Sequence, residues 1–188
     1  MKRIAIITVG KTHSGKTIFA RALEKQLEST VVIEQDNHAE FLNCHYKILI
    51  PRQGRNIIKQ NITQKIVNYA ITHTNLNIIF GNSNRSRESR MSLLSMLDNT
   101  RFYSIVIYFN IPDKVLEARV NNSTRSRNVL RKSSSFEELL AKQQIQDREL
   151  EDMNAPQHDE ADCLLEISNN EEAQFAIEKI MELAKTLD

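Results

Sequence analysis

Residues 10–17 read Gly-Lys-Thr-His-Ser-Gly-Lys-Thr, and no other stretch of the chain limits its fold so tightly. The octet fits G-x-x-x-x-G-K-[ST], the loop that wraps phosphate groups between a strand and a helix. Both flanks suit that role. Ile4 to Val9 is a short apolar run that reads as a buried strand. Downstream, Phe19, Leu23 and Leu27 recur at helical spacing. The chain has only four glycines, and two of them are Gly10 and Gly15. Glycine keeps side chains out of the way where backbone must approach an anion closely. Successive N–H groups then turn inward as a nest, and the following helix adds the positive end of its dipole. Gly10, Lys11, Thr12, His13, Ser14 and Gly15 are therefore expected to form the cradle. Lys16 would carry a mobile positive charge to the outer phosphates, and the Thr17 hydroxyl would serve Mg²⁺. The expected ligand is a nucleoside triphosphate such as ATP, or a similar phosphate compound.

Strand and helix signals alternate through the rest of the chain. Val31 to Ile33, Leu76 to Phe80, Ile105 to Phe109 and Leu164 to Ile167 read as strands. Helices are expected over about 57–74, 86–97, from Pro112 onward, over about 135–153 and at the C-terminus. Ser135 with Glu138 has the spacing of a capping box. Such alternation predicts an α/β fold with a parallel sheet covered on both faces. Ligands bind such sheets at the carboxyl ends of the strands. That rule nominates Gly10 onward, Asp36 after the second strand, Asn82-Ser83-Asn84 after the third and Asn110 after the fourth.

Asp36 is the foremost acid among these. A carboxylate there faces the outer phosphate across the cleft, and it can take a proton from an attacking hydroxyl or hold Mg²⁺. A turn or helix-cap role is the plainer alternative. Glu34 and His38 are weaker candidates for the same role and read rather as surface or supporting groups. Arg87 and Arg90 share a helix face. They fit either an anion clamp or a solvated surface paired with Glu88. Residues 121–135 are basic, polar and serine-rich, and they lie between two expected helices. A mobile cationic lid is the favoured reading, with Arg125 and Arg127 supplying charge to the group in transfer. His45, Lys47, Arg52, Arg55 and Lys59 lie where an insertion can cover an acceptor, or they form an ordinary solvated loop.

Taken together, these pieces resemble the P-loop kinases of the nucleoside-kinase and polynucleotide-kinase type. The residues that carry the resemblance are Gly10 to Thr17, Asn82-Ser83-Asn84 through Arg90, Asp113 through Arg119, and Ala161-Asp162-Cys163 with its strand. The resemblance implies a three-layer α/β/α fold with a five-stranded parallel sheet in the order 2-3-1-4-5. It implies ATP- and Mg²⁺-dependent transfer of the γ-phosphoryl group. It places Lys16 and Thr17 at phosphate and metal, Asp36 on the acceptor side, Arg119 by the adenine, and Arg125 or Arg127 in the lid. Asn82 stands where these kinases carry a metal-holding acid. An amide there can order a metal-bound water but adds no negative charge.

Size and charge bound the remaining choices. At 188 residues the chain reads as one domain spanning 1–188. A net charge of +1 argues against a nucleic-acid binder that uses its whole surface, so any basic function must be local. No apolar run reaches membrane-spanning length, and Cys44 and Cys163 make no metal-type cluster. A cytoplasmic protein is expected. The leading reading is a kinase for a small-molecule or nucleoside acceptor. A kinase for nucleic-acid 5′-hydroxyls is the less favoured relative. A nucleotide-binding module without transfer is the alternative from another class. No [NT]-K-x-D motif selects guanine. The sequence leaves the oligomeric state open.

Overall fold

The computed structural model describes residues 2–97, 101–125, 130, 133–153 and 155–187. Five strands form one parallel sheet in the order β2-β3-β1-β4-β5, as the resemblance implied. They are β1 (Arg3–Gly10), β2 (Thr30–Ile33), β3 (Asn77–Phe80), β4 (Phe102–Phe109) and β5 (Cys163–Ile167). Seven α-helices are seen among the described residues. They are α1 (Lys16–Glu24), α2 (Gln35–His45), α3 (Ile57–His73), α4 (Arg87–Leu94), α5 (Asp113–Asn121), α6 (Phe136–Glu149) and α7 (Asn170–Leu187).

Strand β1 is central and buried along its whole length. Its side chains alternate between two cores, as the period of a strand requires. Ile4 and Ile6 join Phe19 and Leu23 of α1, Leu116 of α5, Leu140 of α6 and Ile180 of α7. Ala5, Ile7 and Val9 join Val67 and Ile71 of α3 on the opposite face. The result is the expected three-layer arrangement. Strand β4 begins at Phe102, three residues before its apolar run. Ser104 extends it because its N–H and hydroxyl both bond to Asp162 Oδ2, each at 2.7 Å.

Helix α2 has no counterpart in the sequence reading, which gave a turn or helix cap only as the alternative role for Asp36. Only Ala39 and Leu42 of α2 are buried, too few for apolar periodicity to reveal it. Ser135 does cap α6, accepting from the Glu138 N–H at 3.3 Å. The Glu138 carboxylate turns instead to Ser134, taking its N–H at 2.6 Å and its hydroxyl at 2.7 Å. Among the described residues no helix is long and apolar enough to cross a membrane.

Candidate active site

The octet lies between the end of β1 and the start of α1, as its spacing predicts. Gly10 has φ +155°, and a Cβ there would stand 2.9 Å from Phe109 Cβ and 3.0 Å from the Phe109 carbonyl oxygen. The loop therefore crosses the end of β4 where no side chain fits. Gly15 has φ +102° and open space on its Cβ side. It is the N-cap of α1 and supplies no side-chain cap, which leaves the first N–H groups of α1 for another acceptor.

Other elements hold the loop from behind. Gln143 of α6 accepts the buried Thr12 N–H at 2.8 Å. The Lys11 side chain leaves the cradle and donates to Asp113 Oδ1 at 2.6 Å, with Asp147 Oδ2 at 3.2 Å. Burial works against that ammonium, but the hydrogen bonds to Asp113 and Asp147 outweigh it and the pKa is raised. Arg85 clasps the same helix, bonding the Gln143 carbonyl at 2.8 Å and Asp147 Oδ1 at 2.5 Å. His13 has φ +59° and stands between the Thr12 and Ser123 hydroxyls, 2.9 and 2.7 Å from its ring nitrogens. Burial first, then the charges of Arg125 and Lys16, push its pKa down. Arg119 donates to the His13 carbonyl at 3.2 Å.

A cleft of about 1180 Å³ opens over the loop. Thr12 to Thr17 form its floor, Gln35, Asp36, Lys59 and Gly81 to Ser83 one wall, and Arg119, Asn169, Asn170 and Gln174 another. Asp36 is the only carboxylate among the described lining residues, beside the cations Lys16, Lys59, Arg119 and Arg125. Lys16 donates to the Lys11 carbonyl at 2.5 Å and to Ser14 Oγ at 2.9 Å. Its pKa falls from 10.5 to about 7, through burial first and then the charges of Arg125 and Arg85, with Asp36 opposing. A site that disfavours its own lysine charge, walled by further cations and one uncapped helix end, fits a polyanion.

Asp36 sits in the first turn of α2, its Oδ2 taking a 2.7 Å hydrogen bond from Arg125. The N-cap of α2, Glu34, provides no side-chain cap. Asn82 provides it from β3's end, its Oδ1 accepting the Gln35 N–H at 2.8 Å. The amide at the position expected for a metal-holding acid is thus committed to fixing the helix that carries Asp36. Glu34 is buried, pairs with Arg21 at 2.9 Å and packs over Gly81. His38 bonds Thr63 at 2.8 Å. Both are supporting groups, as the sequence suggested.

Arg90, one half of the suggested anion clamp, is fully buried and forms two bonds to Glu160, at 2.6 and 2.9 Å. It is a structural residue. Arg87 lies 3.6 Å from the same carboxylate. Glu160 lies seventy residues downstream, so helix-face spacing gave no sign of it. Gln143 and Asp147 were missed for the same reason. Arg127 falls outside the described residues, as does part of the expected lid at 126–129, 131 and 132.

Residues 6–155 match the family model described as an AAA domain, and the chain belongs to that family. No curated protein matches it. Among solved structures, shikimate kinase from Bacteroides thetaiotaomicron aligns with TM-score 0.59 and 14% identity, over 97% of this chain and 98% of that one. Kti12 from Chaetomium thermophilum, in complex with ADP-AlF3, gives 0.58 and 17%, over 95% and 97%. A fungal RNA kinase gives 0.56 and 12%, over 97% and 87%. At these identities the likeness establishes the shared P-loop kinase fold.

Proposed function

We propose that the chain is an ATP-dependent phosphotransferase, moving the γ-phosphoryl group to a small-molecule or nucleoside acceptor that carries a free hydroxyl or phosphate oxygen. The observation that carries this reading is the placement of Asp36 and Lys16 in one cation-walled cleft. The Asp36 charge reaches the Lys16 ammonium, and Arg125 joins the two sides. The loop and the N-terminus of α1 hold the triphosphate, Lys16 meets the outer phosphates, and Arg119 borders the wall where the base would lie. The acceptor oxygen forms its bond to phosphorus as the bond to the ADP oxygen breaks, and its proton passes to Asp36. Arg125 then has one neighbour losing negative charge and another gaining it, which suits a residue that follows charge during transfer.

Thr17 and Asp36 are the oxygen donors suited to Mg²⁺. No group of three or more metal-binding side chains stands together among the described residues. When bound, Mg²⁺ would neutralise charge on the phosphates.

The neighbours support nucleotide-dependent transfer but name acceptors as different as shikimate and RNA. A phosphotransfer panel is therefore the test, with ATP and Mg²⁺ against nucleosides, sugars, monophosphates and 5′-hydroxyl oligonucleotides. Transfer to nucleosides, sugars or monophosphates that is lost in Lys16→Ala supports the reading, and transfer to oligonucleotides alone overturns it in favour of a 5′-hydroxyl kinase. Tight ATP binding with no transfer across the panel overturns it in favour of a nucleotide-binding module.

A further inference from the structure

We infer that His13 is a positioning residue: its imidazole ties the phosphate loop to the segment after α5 and so fixes the Arg125 guanidinium against Asp36. This inference rests on the phosphotransferase reading and deepens it, because it names what holds Arg125 in place. It starts from backbone strain. His13 has φ +59°, in the left-handed region that glycine enters freely and a residue with a Cβ resists. A glycine would follow the same path at lower cost. Strain of this kind persists only where the surroundings hold the residue. The turn of the loop explains the conformation but not the imidazole.

The contacts of the ring show what the imidazole does. Thr12 is its partner within the loop, at Nδ1. The others come from beyond the loop. Nε2 shares a 2.7 Å hydrogen bond with the Ser123 hydroxyl, just past the end of α5. Ser123 Oγ also accepts the Arg125 N–H at 3.2 Å. A hydroxyl has one donor and two acceptor positions, so it serves both partners at once. A second bridge runs through Phe136, the buried first residue of α6. Its ring meets His13 edge-on, with centroids 4.9 Å apart and planes at 74°. The Arg125 guanidinium carbon lies 5.4 Å from the centroid of the same ring. From there Arg125 reaches Asp36.

Arg125 needs such support. Its ion pair with Asp36 is well exposed on both sides, and an exposed pair gains little against the rotamer freedom of a long side chain. The Ser123 hydroxyl holds its backbone and Phe136 flanks its guanidinium, and His13 touches both of those residues. Histidine suits the place for a further reason. Burial first, then the charges of Arg125 and Lys16, lower its pKa. The neutral ring offers one donor and one acceptor to the two hydroxyls beside it. It adds no charge to a cleft already lined by Lys16, Arg119 and Arg125. Because His13 belongs to the phosphate loop, the guanidinium is set in register with the loop that would hold the phosphates. Transfer depends on such registration more than binding does.

The test uses the full chain and His13→Gly, which deletes the ring and keeps the left-handed backbone. Circular dichroism confirms that each variant is folded. Brief trypsin digestion without ATP, read by mass spectrometry, reports how firmly Arg125 is held. Cleavage after Arg125 should rise roughly 2- to 12-fold in His13→Gly and in Ser123→Ala, the range for one lost hydrogen bond. Cleavage after exposed Arg52 in the same digest should not change. Ser123→Thr keeps the hydroxyl and should keep the protection. With ATP, Mg²⁺ and the acceptor found by the phosphotransfer panel, His13→Gly should lower kcat at least about tenfold and shift the KM for ATP less than about threefold. In an Arg125→Ala background, His13→Gly should cost less than about twofold more. Unchanged cleavage after Arg125 in His13→Gly, or a full loss of kcat that persists without Arg125, would overturn the positioning role. Selective cleavage after Arg125 in a protein that phosphorylates nothing in the panel would sink the phosphotransferase reading and leave the tie between His13 and Arg125 standing.

Discussion

The Arg125 guanidinium donates a 2.7 Å hydrogen bond to Asp36 Oδ2, joining the segment after α5 to the first turn of α2 across the mouth of the cleft. Both side chains are well exposed, 40% and 56%. Such a pair contributes about 0–1 kcal/mol to stability, so its place is better explained by chemistry than by folding. Asp36→Asn keeps the shape and removes the proposed base. Turnover should fall by roughly 10²–10⁴-fold while ATP affinity changes only a few-fold. Steady-state kinetics and calorimetric titration separate the two. Near-normal turnover in Asp36→Asn would remove the base assignment.

Lys16 gives a pH dependence whose sign follows from its surroundings. Burial, Arg125 and Arg85 bring its pKa to about 7, so near neutrality a substantial share of the side chain is uncharged. A bound triphosphate favours the ammonium. ATP binding above pH 7 should therefore take up a proton, and affinity should fall as pH rises from about 7 to 9. The free protein should show the linked effect. Between about 7 and 10.5 the unfolded chain holds more protons at this residue, so its contribution to stability improves as pH rises. Calorimetry in buffers of different ionisation enthalpy reads the proton uptake. Lys16→Ala should abolish transfer, and its residual ATP binding should lose this pH dependence.

What the sequence revealed was local, and what it concealed was distant. The octet announced itself because strand, loop and helix are contiguous, and Asp36 was nominated from the end of β2. Helix α2 stayed hidden because its cap, Asn82, lies 47 residues away and its buried face is only Ala39 and Leu42. Arg90 read equally well as clamp or surface until Glu160 was placed beside it. Lys11 belongs to the octet by spacing, yet its side chain is spent on Asp113 and Asp147. In each case the deciding partner comes from another element, and no periodicity within one helix can show it.

The Arg90–Glu160 pair makes a prediction about the core. Both side chains are shut off from solvent. Removing one strands the other, so Glu160→Ala should cost about 3–5 kcal/mol. Burial pushes the Glu160 carboxyl up, but bonds from Arg90 and the Gln157 N–H more than offset it and hold its pKa below the usual value. The carboxylate's contribution is then present above the ordinary carboxylate range and lost as pH falls through the lowered pKa. Denaturant titrations should show a steeper acid loss in the parent chain than in Glu160→Gln.

Gln143 offers the sharpest test of how the phosphate loop keeps its shape. Its Oε1 takes the Thr12 N–H at 2.8 Å, and both residues are buried. Gln143→Ala leaves that N–H without an acceptor, at a cost of about 1–3 kcal/mol. The loop can recover part of this by turning the Lys11–Thr12 peptide, which moves the Lys11 carbonyl off the Lys16 ammonium. Gln143→Ala should therefore weaken ATP binding several-fold as well as lowering the melting temperature. Gln143→Glu retains an acceptor oxygen at the same reach. It should restore affinity for ATP more fully than it restores stability, because its added charge is buried close to Asp147. A melting-temperature loss in Gln143→Ala with unchanged ATP affinity would mean that α6 supports the domain without shaping the loop.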